Sequence, residues 1–185
     1  MSELIDVLNE KGDFSGEVKE RWLIHREGDW HRTVHVWLFH EGDLLLQLRG
    51  PQQESNPGLW DISCAGHLGV GESAKEGLFR EFEEELGLKI GGRKISFLGE
   101  IPSVWSSGEF LDREFNAIFC VNWEGGRPMI RFQKEEIEEV CWVPWRDLKK
   151  RVLGNDPSLV SHSEEFHLLF AHLEALETCK NKVEL

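Results

Sequence analysis

The chain has 185 residues and a mass of 21.4 kDa, with 40% hydrophobic and 30% charged residues, which indicates a single globular domain over residues 1–185 with a sizeable core. Its formal charge of −13 at pH 7 argues against sequence-independent nucleic-acid binding, because phosphate backbones require stripes of lysine and arginine. The same charge would repel a free polyanion, so a phosphate substrate would need metal ions to screen its approach.

The first half of the chain is predicted to consist mainly of strands separated by polar turns. A strand is expected at residues 4–8, and residues 33–39 and 44–49 are expected to form a hairpin. A polar loop with two prolines then leads to a strand-like segment at 59–68. A glycine-rich stretch follows, and a helix is predicted from about residue 73 to residue 86.

In the second half, two strands at residues 94–105 and 110–123 are followed by a last strand at 138–143. Proline is well placed in the first turn of a helix, so a short helix is expected over residues 144–152. An amphipathic helix is predicted over about 164–178. This mixture of strands and helices predicts an α/β or α+β fold.

The cysteines are scattered and contain no C-x-x-C pair, which predicts neither a disulfide framework nor a zinc–cysteine site. They are Cys64, Cys120, Cys141 and Cys179. The first residues lack a secretory signal, and the apolar runs are far short of the ~20 residues that a membrane helix needs. We therefore expect a cytoplasmic protein without a membrane partner.

The most informative segment is the run REFEEELGL at residues 80–88. On a helix, Glu81, Glu84 and Glu85 lie at i, i+3 and i+4 and share one face. Like charges at this spacing repel by about 0.2–0.5 kcal/mol per pair. A hard divalent cation such as Mg²⁺, which prefers oxygen ligands, would relieve this repulsion. The alternative is a solvated acidic face, the usual explanation of a charge run.

The other residues of this helix are compatible with a metal site on the wall of a cleft. Leu78, Phe82 and Leu86 form an apolar stripe about a third of a turn from the glutamates, so the helix can bury one side and present the other. Gly87 suits the helix C-terminus. Arg80 is placed to hydrogen-bond a metal-binding carboxylate and hold its rotamer.

Residues 66–88 match the fixed positions of a known signature. Gly66, Glu72 and the run Arg80-Glu81-Phe82-x-Glu84-Glu85-x-Gly87-Leu88 resemble an intact Nudix box. The resemblance implies the Nudix α/β/α sandwich with a mixed central sheet. It also implies an enzyme that cleaves a diphosphate linked to another moiety, with Mg²⁺ or Mn²⁺ as cofactor and water as nucleophile.

The same resemblance assigns roles by position. Glu81, Glu84 and Glu85 would hold the metal, and the backbone carbonyl of Gly66 is a further candidate ligand. Glu72 would support them, and the choice of general base among the carboxylates stays open. A metal ion there can polarise a phosphoryl oxygen and activate water, and two ions can clamp the attacking and leaving oxygens. The predicted catalytic residues are Glu72, Arg80, Glu81, Glu84 and Glu85.

A second group of residues is similar to type I isopentenyl diphosphate isomerases, which share the Nudix fold and bind an additional metal through histidines and glutamates. The matching segments are His31 to Phe39, Leu59-Trp60, Gly66-His67 and Asp112-Arg113-Glu114-Phe115. The residues that fall on metal-ligand positions of that family, and so predict a second metal site, are His31, His67, Asp112 and Glu114.

Three further points concern Glu114 and two other histidines in or near these segments. Nudix hydrolases often use a glutamate beyond the box, so Glu114 is a reasonable metal ligand in either family. His25 matches a further histidine of the isomerases if one residue is deleted from the intervening loop. His35 alternates with its strand neighbours, and we expect it to be simply packed or exposed.

Isomerase chemistry itself fits this sequence poorly. The catalytic cysteine of the isomerases precedes the Gly-His pair, where this chain has Ala65; Cys64 lies one residue earlier and would face the other side of a strand. Typical isomerases have basic residues where Glu81 stands. Their phosphate-binding lysine is replaced by Gln53, although Arg49 remains. These differences favour a hydrolase on an isomerase-like frame.

Three functions therefore stay open: a hydrolase acting on a nucleoside diphosphate derivative or another organic diphosphate, an isopentenyl diphosphate isomerase, and a ligand-binding Nudix module without turnover. Arg49 is a candidate for binding a substrate phosphate, with a surface ion pair as the alternative. Trp60, Trp105 or Phe110 could stack on a base or cover a prenyl chain, or pack in the core. Because proteins of this fold are often dimers, a homodimer is a further expectation.

Overall fold

In a computed structural model of the chain, which describes residues 3–183 and their side chains to residue 179, nine strands and four helices follow one another. They are β1 (Leu4–Leu8), β2 (Phe14–Glu20), α1 (Arg21–Glu27), β3 (Trp30–His40), β4 (Asp43–Arg49), β5 (Trp60–Asp61), β6 (Cys64–His67), α2 (Ala74–Leu86), β7 (Lys94–Ser107), β8 (Phe110–Asn122), β9 (Ile137–Pro144), α3 (Trp145–Leu153) and α4 (Ser163–Val183). No helix in this range is both long enough and apolar enough to cross a bilayer.

The strands form one mixed sheet around β3. β8 runs parallel to β3, from Trp30 opposite Arg113 to Phe39 opposite Asn122. β1, β4 and β6 pair with β3 in the antiparallel sense. β4 also pairs with β5 and β9, β7 pairs with β8, and β2 is the outer partner of β1. The mixed central sheet predicted from the Nudix resemblance is confirmed.

Two apolar layers lie on opposite faces of this sheet, because successive side chains of β3 point to opposite sides. Val34, Val36 and Leu38 are fully buried in the layer beneath α2. Trp37 and Phe39 belong to the layer that packs against α3 and α4, which contribute Leu148, Phe166, Leu169, Phe170 and Leu173. Helices therefore cover both faces, as expected for an α/β/α sandwich.

Helix α2 begins and ends where the sequence predicts. Ser73 forms a capping box with Glu76: the Ser73 hydroxyl accepts from the Glu76 amide, and the Glu76 carboxylate accepts from the Ser73 amide at 3.0 Å. Gly87 ends the helix in the left-handed conformation with φ of 65°, which glycine adopts without strain. The apolar stripe of Leu78, Phe82 and Leu86 is completely buried.

The structure differs from the prediction at three places. β2 and α1 were not predicted, because β2 is mostly exposed and α1 buries only Ile24 and His25 along its seven residues. The predicted strand 59–68 is two short strands, since the backbone of Trp60 pairs with Ser158 and Val160 whereas β6 pairs with β3. The last helix extends to Val183.

Candidate active site

A cavity of about 370 Å³ is lined by residues of α1, β3, β4, β6, α2 and β8 and by the segment before α4. Three groups of side chains face it. The first is the acidic face of α2, the second is a cluster of histidines and carboxylates, and the third is a polar wall that includes Arg49 and His162. All of the residues that sequence analysis assigned to metal binding either line this cavity or contact a residue that does.

The acidic face of α2 contains two buried carboxyl groups. Glu81 and Glu85 are 7% and 4% exposed, whereas Glu84 is exposed to solvent. Burial raises the pKa of Glu81 to about 7, even though Arg80 opposes this change. Burial, together with the charge of Glu81, also raises the pKa of Glu85 well above its usual value. Glu85 Oε2 has no hydrogen-bond partner among the described residues. An unpaired buried carboxylate is costly unless a cation neutralises it, so these residues fit a divalent metal ion.

Arg80 holds the carboxylates of this face in place. Its Nε and Nη2 donate to the two oxygens of Glu72 at 2.8 and 2.7 Å, which is a bidentate pair. Its Nη1 donates to Glu81 at 2.6 Å and to Glu84 at 3.2 Å. A fifth bond, from Nη2 to the backbone carbonyl of His67 at 2.8 Å, ties the guanidinium to β6. Arg80 therefore fixes the rotamers of Glu81 and Glu84.

Gly66 lets α2 approach the sheet closely. A Cβ atom at this position would lie 1.9 Å from Glu81 Oε1, a distance that no real contact allows. The close approach places the Glu81 carboxylate against β6 at Gly66. Glycine is thus needed at position 66 to leave room for the Glu81 carboxylate, and not to form the strand.

We expect Gly66→Ala to displace the Glu81 carboxylate, because the flexible end of that side chain can move more easily than the backbone. Mg²⁺ affinity and turnover should fall by on the order of 10–100-fold, the scale on which misplaced metal-site groups act. The melting temperature should change little. Gly92→Ala is the matched control, since a Cβ there meets nothing within 4 Å. Equal Mg²⁺ affinity in both variants would contradict this account.

The second group brings five residues from four elements together: His25 of α1, His31 of β3, His67 of β6, and Asp112 and Glu114 of β8. His25 Nε2 lies 3.4 Å from His67 Nε2 and 3.5 Å from Asp112 Oδ1. His31 Nε2 lies 3.6 Å from Glu114 Oε1. Two ligands of one transition-metal ion are about 3–3.5 Å apart, because each bond is about 2.0–2.2 Å long.

Hydrogen bonding in this cluster leaves ligand atoms free. His31 Nδ1 lies 3.2 Å from the Asp29 carbonyl, to which it donates, so its Nε2 faces the cluster. His31 Nε2 and Asp112 Oδ1 are buried and have no hydrogen-bond partner among the described residues. Burial and the neighbouring His31 lower the pKa of His67 well below its usual value, which keeps its imidazole neutral. These residues fit a metal ion.

The residues predicted to bind substrate lie in different surroundings. Arg49 lines the cavity and donates to Asp61 at 2.9 Å and to the Ser55 carbonyl at 2.8 Å. Trp60 lies outside the cavity lining and packs against the layer beneath α3 and α4. Trp105 and Phe110 do line the cavity.

Cys64 and Ala65, the two candidate positions for an isomerase cysteine, face opposite sides of the sheet. Cys64 is completely buried in the apolar layer beneath α2, and burial raises the pKa of its thiol well above the usual value. Ala65, the next residue, lines the cavity opposite His35. The thiol therefore does not reach the cavity.

Sequence analysis missed a third group of residues. His35, which was expected to be simply packed or exposed, is buried, and its Nδ1 lies 2.8 Å from Glu165 Oε2. His162 Nε2 lies 2.7 Å from Asp61 Oδ1. The partners are up to 130 residues apart and follow no motif, so no local signal could have paired them.

Comparison with known proteins gives three findings. The family model described as NUDIX domain matches residues 29–162. The chain is 41% identical to "Nudix hydrolase 3" of Arabidopsis thaliana over 168 residues, which are 86% of this chain and 22% of that protein. It is 31% identical to "Isopentenyl-diphosphate Delta-isomerase 2" of Photorhabdus laumondii over 134 residues, 72% of each chain.

Among solved structures, the protein DR0079 from Deinococcus radiodurans is similar to the chain with a TM-score of 0.69 and 20% sequence identity. The match covers 90% of this chain and 97% of that one, so the two proteins share a fold. The chain spans less than a quarter of the length of the Arabidopsis protein that it matches.

Proposed function

The chain belongs to the Nudix family, in a subgroup similar to type I isopentenyl diphosphate isomerase, and we propose that it is a metal-dependent hydrolase of organic diphosphates. It cleaves the diphosphate linkage of a nucleoside diphosphate derivative or a related compound by attack of water at phosphorus. The observation that carries this proposal is the pair of buried carboxylates, Glu81 and Glu85, with one oxygen of Glu85 unpaired.

The chain's own residues have defined tasks in this reaction. Glu81, Glu84 and Glu85, with the Gly66 carbonyl, would hold Mg²⁺ or Mn²⁺. When bound, the ion would polarise the phosphoryl oxygen and lower the pKa of a water molecule. Arg80 keeps the carboxylates oriented through its bonds to Glu81 and Glu84. Preorganised charges of this kind act where negative charge develops in the transition state.

The histidine–carboxylate cluster would hold a second ion of different character. Imidazole and carboxylate ligands together suit Zn²⁺, Mn²⁺ or Fe²⁺ better than Mg²⁺, which prefers oxygen alone. His31, His67, Asp112 and Glu114 supply such a set, and His25 extends it. The cluster and the acidic face of α2 line one cavity, so both ions could contact one diphosphate.

The position of the cysteine argues against isomerisation. That reaction needs a proton donor at the substrate carbon, and Cys64 is completely buried in the apolar layer beneath α2, outside the lining of the cavity. Ala65 has no titratable group. The complete set of glutamates in the Nudix box argues against a binding module without turnover, since binding alone does not need two buried acids of which one has an unpaired oxygen.

The test is incubation with Mg²⁺ or Mn²⁺ and a panel of nucleoside diphosphate sugars, dinucleoside polyphosphates and prenyl diphosphates. Products are measured as phosphate release with a coupled phosphatase. We expect turnover of at least one class, its loss in EDTA and its recovery when Mg²⁺ or Mn²⁺ is restored. Turnover that survives EDTA, or deuterium exchange into isopentenyl diphosphate without hydrolysis, would overturn the proposal.

A further inference from the structure

The cavity has a wall that neither metal group explains. His35, Asn116 and His162 line it and come from β3, from β8 and from the residue before α4. His35 and Asn116 are on neighbouring strands, where Thr33 is opposite Asn116 and His35 is opposite Ile118. The ring centroids of His35 and His162 are 5.4 Å apart, and Asn116 lines the same cavity, so the three side chains are treated as one patch.

This patch is on the other side of β6 from the acidic face of α2. Ala65 lies opposite His35, whereas the neighbouring Gly66 lies against Glu81. Adjacent residues of a strand point to opposite sides. A substrate whose diphosphate is held by the acidic face can therefore extend past β6 toward His35.

Each histidine uses one ring nitrogen to anchor α4 and leaves the other free. His35 Nδ1 bonds Glu165, which also accepts from Trp37 Nε1 at 2.6 Å. His162 Nε2 bonds Asp61, while its Nδ1 is 3.9 Å from Glu165 Oε2, beyond hydrogen-bond reach. His35 Nε2 makes no hydrogen bond with any group in the described part of the chain, although His35 is only 6% exposed.

Asn116 adds a third free group. Its side-chain oxygen accepts from the Thr33 hydroxyl at 3.0 Å, and its amide nitrogen makes no hydrogen bond within the described residues. Asn116 is 5% exposed. Because His35, Asn116 and His162 line the cavity and leave these polar atoms without a bond inside the chain, the atoms are available to a group that enters the cavity.

A purely structural role of His35 and His162 accounts for only one of the two nitrogens of each ring. Anchoring of α4 needs the bonds of His35 to Glu165 and of His162 to Asp61, and both are made. It does not need the second ring nitrogens to face a cavity.

The charge of the wall favours an anion. Burial would lower the pKa of His162, but the Asp61 carboxylate outweighs this effect and raises it to about 9. Burial acts in the same way on His35, and the Glu165 carboxylate raises its pKa. Both changes favour the protonated forms of these histidines, and Arg49 adds a further cation to the wall. The carboxylates of Asp61 and Glu165 are already paired with these groups.

We propose that His35, Asn116 and His162 form a subsite for an oxyanion on the part of the substrate that does not react. This inference rests on the proposed hydrolase function and narrows its substrate class. The preferred substrate is a compact organic diphosphate with a second anionic group, such as a phosphate monoester. Prenyl diphosphates, whose tails are apolar, are poor substrates because this wall is polar.

The first test measures binding of inorganic phosphate to the full chain in EDTA, so that neither turnover nor a metal ion is needed. Phosphate should shift the imidazole N–H resonances of His35 and His162 in NMR spectra. His162→Gln should weaken phosphate binding at least tenfold. The matched control is His167→Gln on the exposed side of α4, which should bind as the wild type does.

The second test uses the holoenzyme. His162→Gln should raise KM for 5-phosphoribosyl 1-diphosphate at least tenfold, with little change in kcat, and should leave KM for geranyl diphosphate unchanged. Asn116→Ala provides the same comparison if His162→Gln fails to fold. An equal rise in KM for both substrates would overturn the subsite.

The two proposals fail in different ways. Phosphate that leaves the His35 and His162 resonances unshifted, or that binds wild type and variants equally, overturns the subsite and leaves the hydrolase proposal intact. Phosphate that binds as expected, with no hydrolysis of any compound in the panel, overturns the hydrolase and identifies an anion-binding site.

Discussion

Glu85→Gln is expected to lower kcat/KM by on the order of 10³-fold, the scale of electrostatic stabilisation at a reacting centre. Glu85 is buried with one unpaired oxygen, so its charge is stable only beside a cation. Glutamine has the same shape but no charge. The variant should therefore bind Mg²⁺ weakly and lose activity without losing its fold.

Stability separates this effect from misfolding. The folded-state pKa of Glu85 is raised, so its ionised form costs stability at neutral pH, and glutamine removes that cost. In EDTA the variant should melt at the same temperature as the wild type or higher. Saturating Mg²⁺, at about 100 times its Kd, should stabilise the wild type by about 2.7 kcal/mol and the variant far less.

Glu83→Gln is the matched control for this experiment. Glu83 is on the same helix but is exposed and pairs with Lys89 at 3.0 Å, away from the cavity. Its kcat/KM and its response to Mg²⁺ should equal those of the wild type. Wild-type turnover in Glu85→Gln, or equal losses in both variants, would show that the buried carboxylate is not a metal ligand.

His67→Gln is expected to weaken binding of a transition-metal ion by on the order of 10²-fold or more, beyond the 10–100-fold typical of groups that only orient a ligand. His67 Nε2 is 3.4 Å from His25 Nε2 and 4.0 Å from Glu114 Oε1, and its imidazole is kept neutral by burial. Zn²⁺ titration by calorimetry, in the presence of saturating Mg²⁺, measures this site alone.

The control for the histidine cluster is His167→Gln, because His167 is exposed on α4 and distant in sequence from the cluster. It should keep wild-type Zn²⁺ affinity and stoichiometry. If His67→Gln binds Zn²⁺ as tightly as this control, the five residues are a hydrogen-bonded cluster and not a metal site.

Sequence analysis predicted best where the signals are local. The bounds of α2 follow from Ser73, Glu76 and Gly87, which cap the helix through contacts within four residues. Residues 33–39 of β3 are mostly β-branched or aromatic, so this part of the strand is recognised without its partners. The spacing of Glu81, Glu84 and Glu85 belongs to the helix itself.

What sequence analysis could not predict depends on contacts between distant segments. β2 is an outer strand whose side chains are mostly exposed, so it lacks the alternation that marks a strand. His25 joins the histidine cluster only because α1 packs beside β8. The pairing of His35 with Glu165 joins β3 to α4 across 130 residues. Polar networks of this kind carry no periodic pattern.

The proposed hydrolase function requires that the acidic face of α2 binds divalent cations. The most direct measurement is the anomalous scattering of crystals soaked in Mn²⁺. The account predicts a peak about 2–2.5 Å from carboxylate oxygens of Glu81 and Glu85, near the Gly66 carbonyl. Splayed glutamate side chains with no peak beside them, in crystals that take up manganese elsewhere, would contradict it.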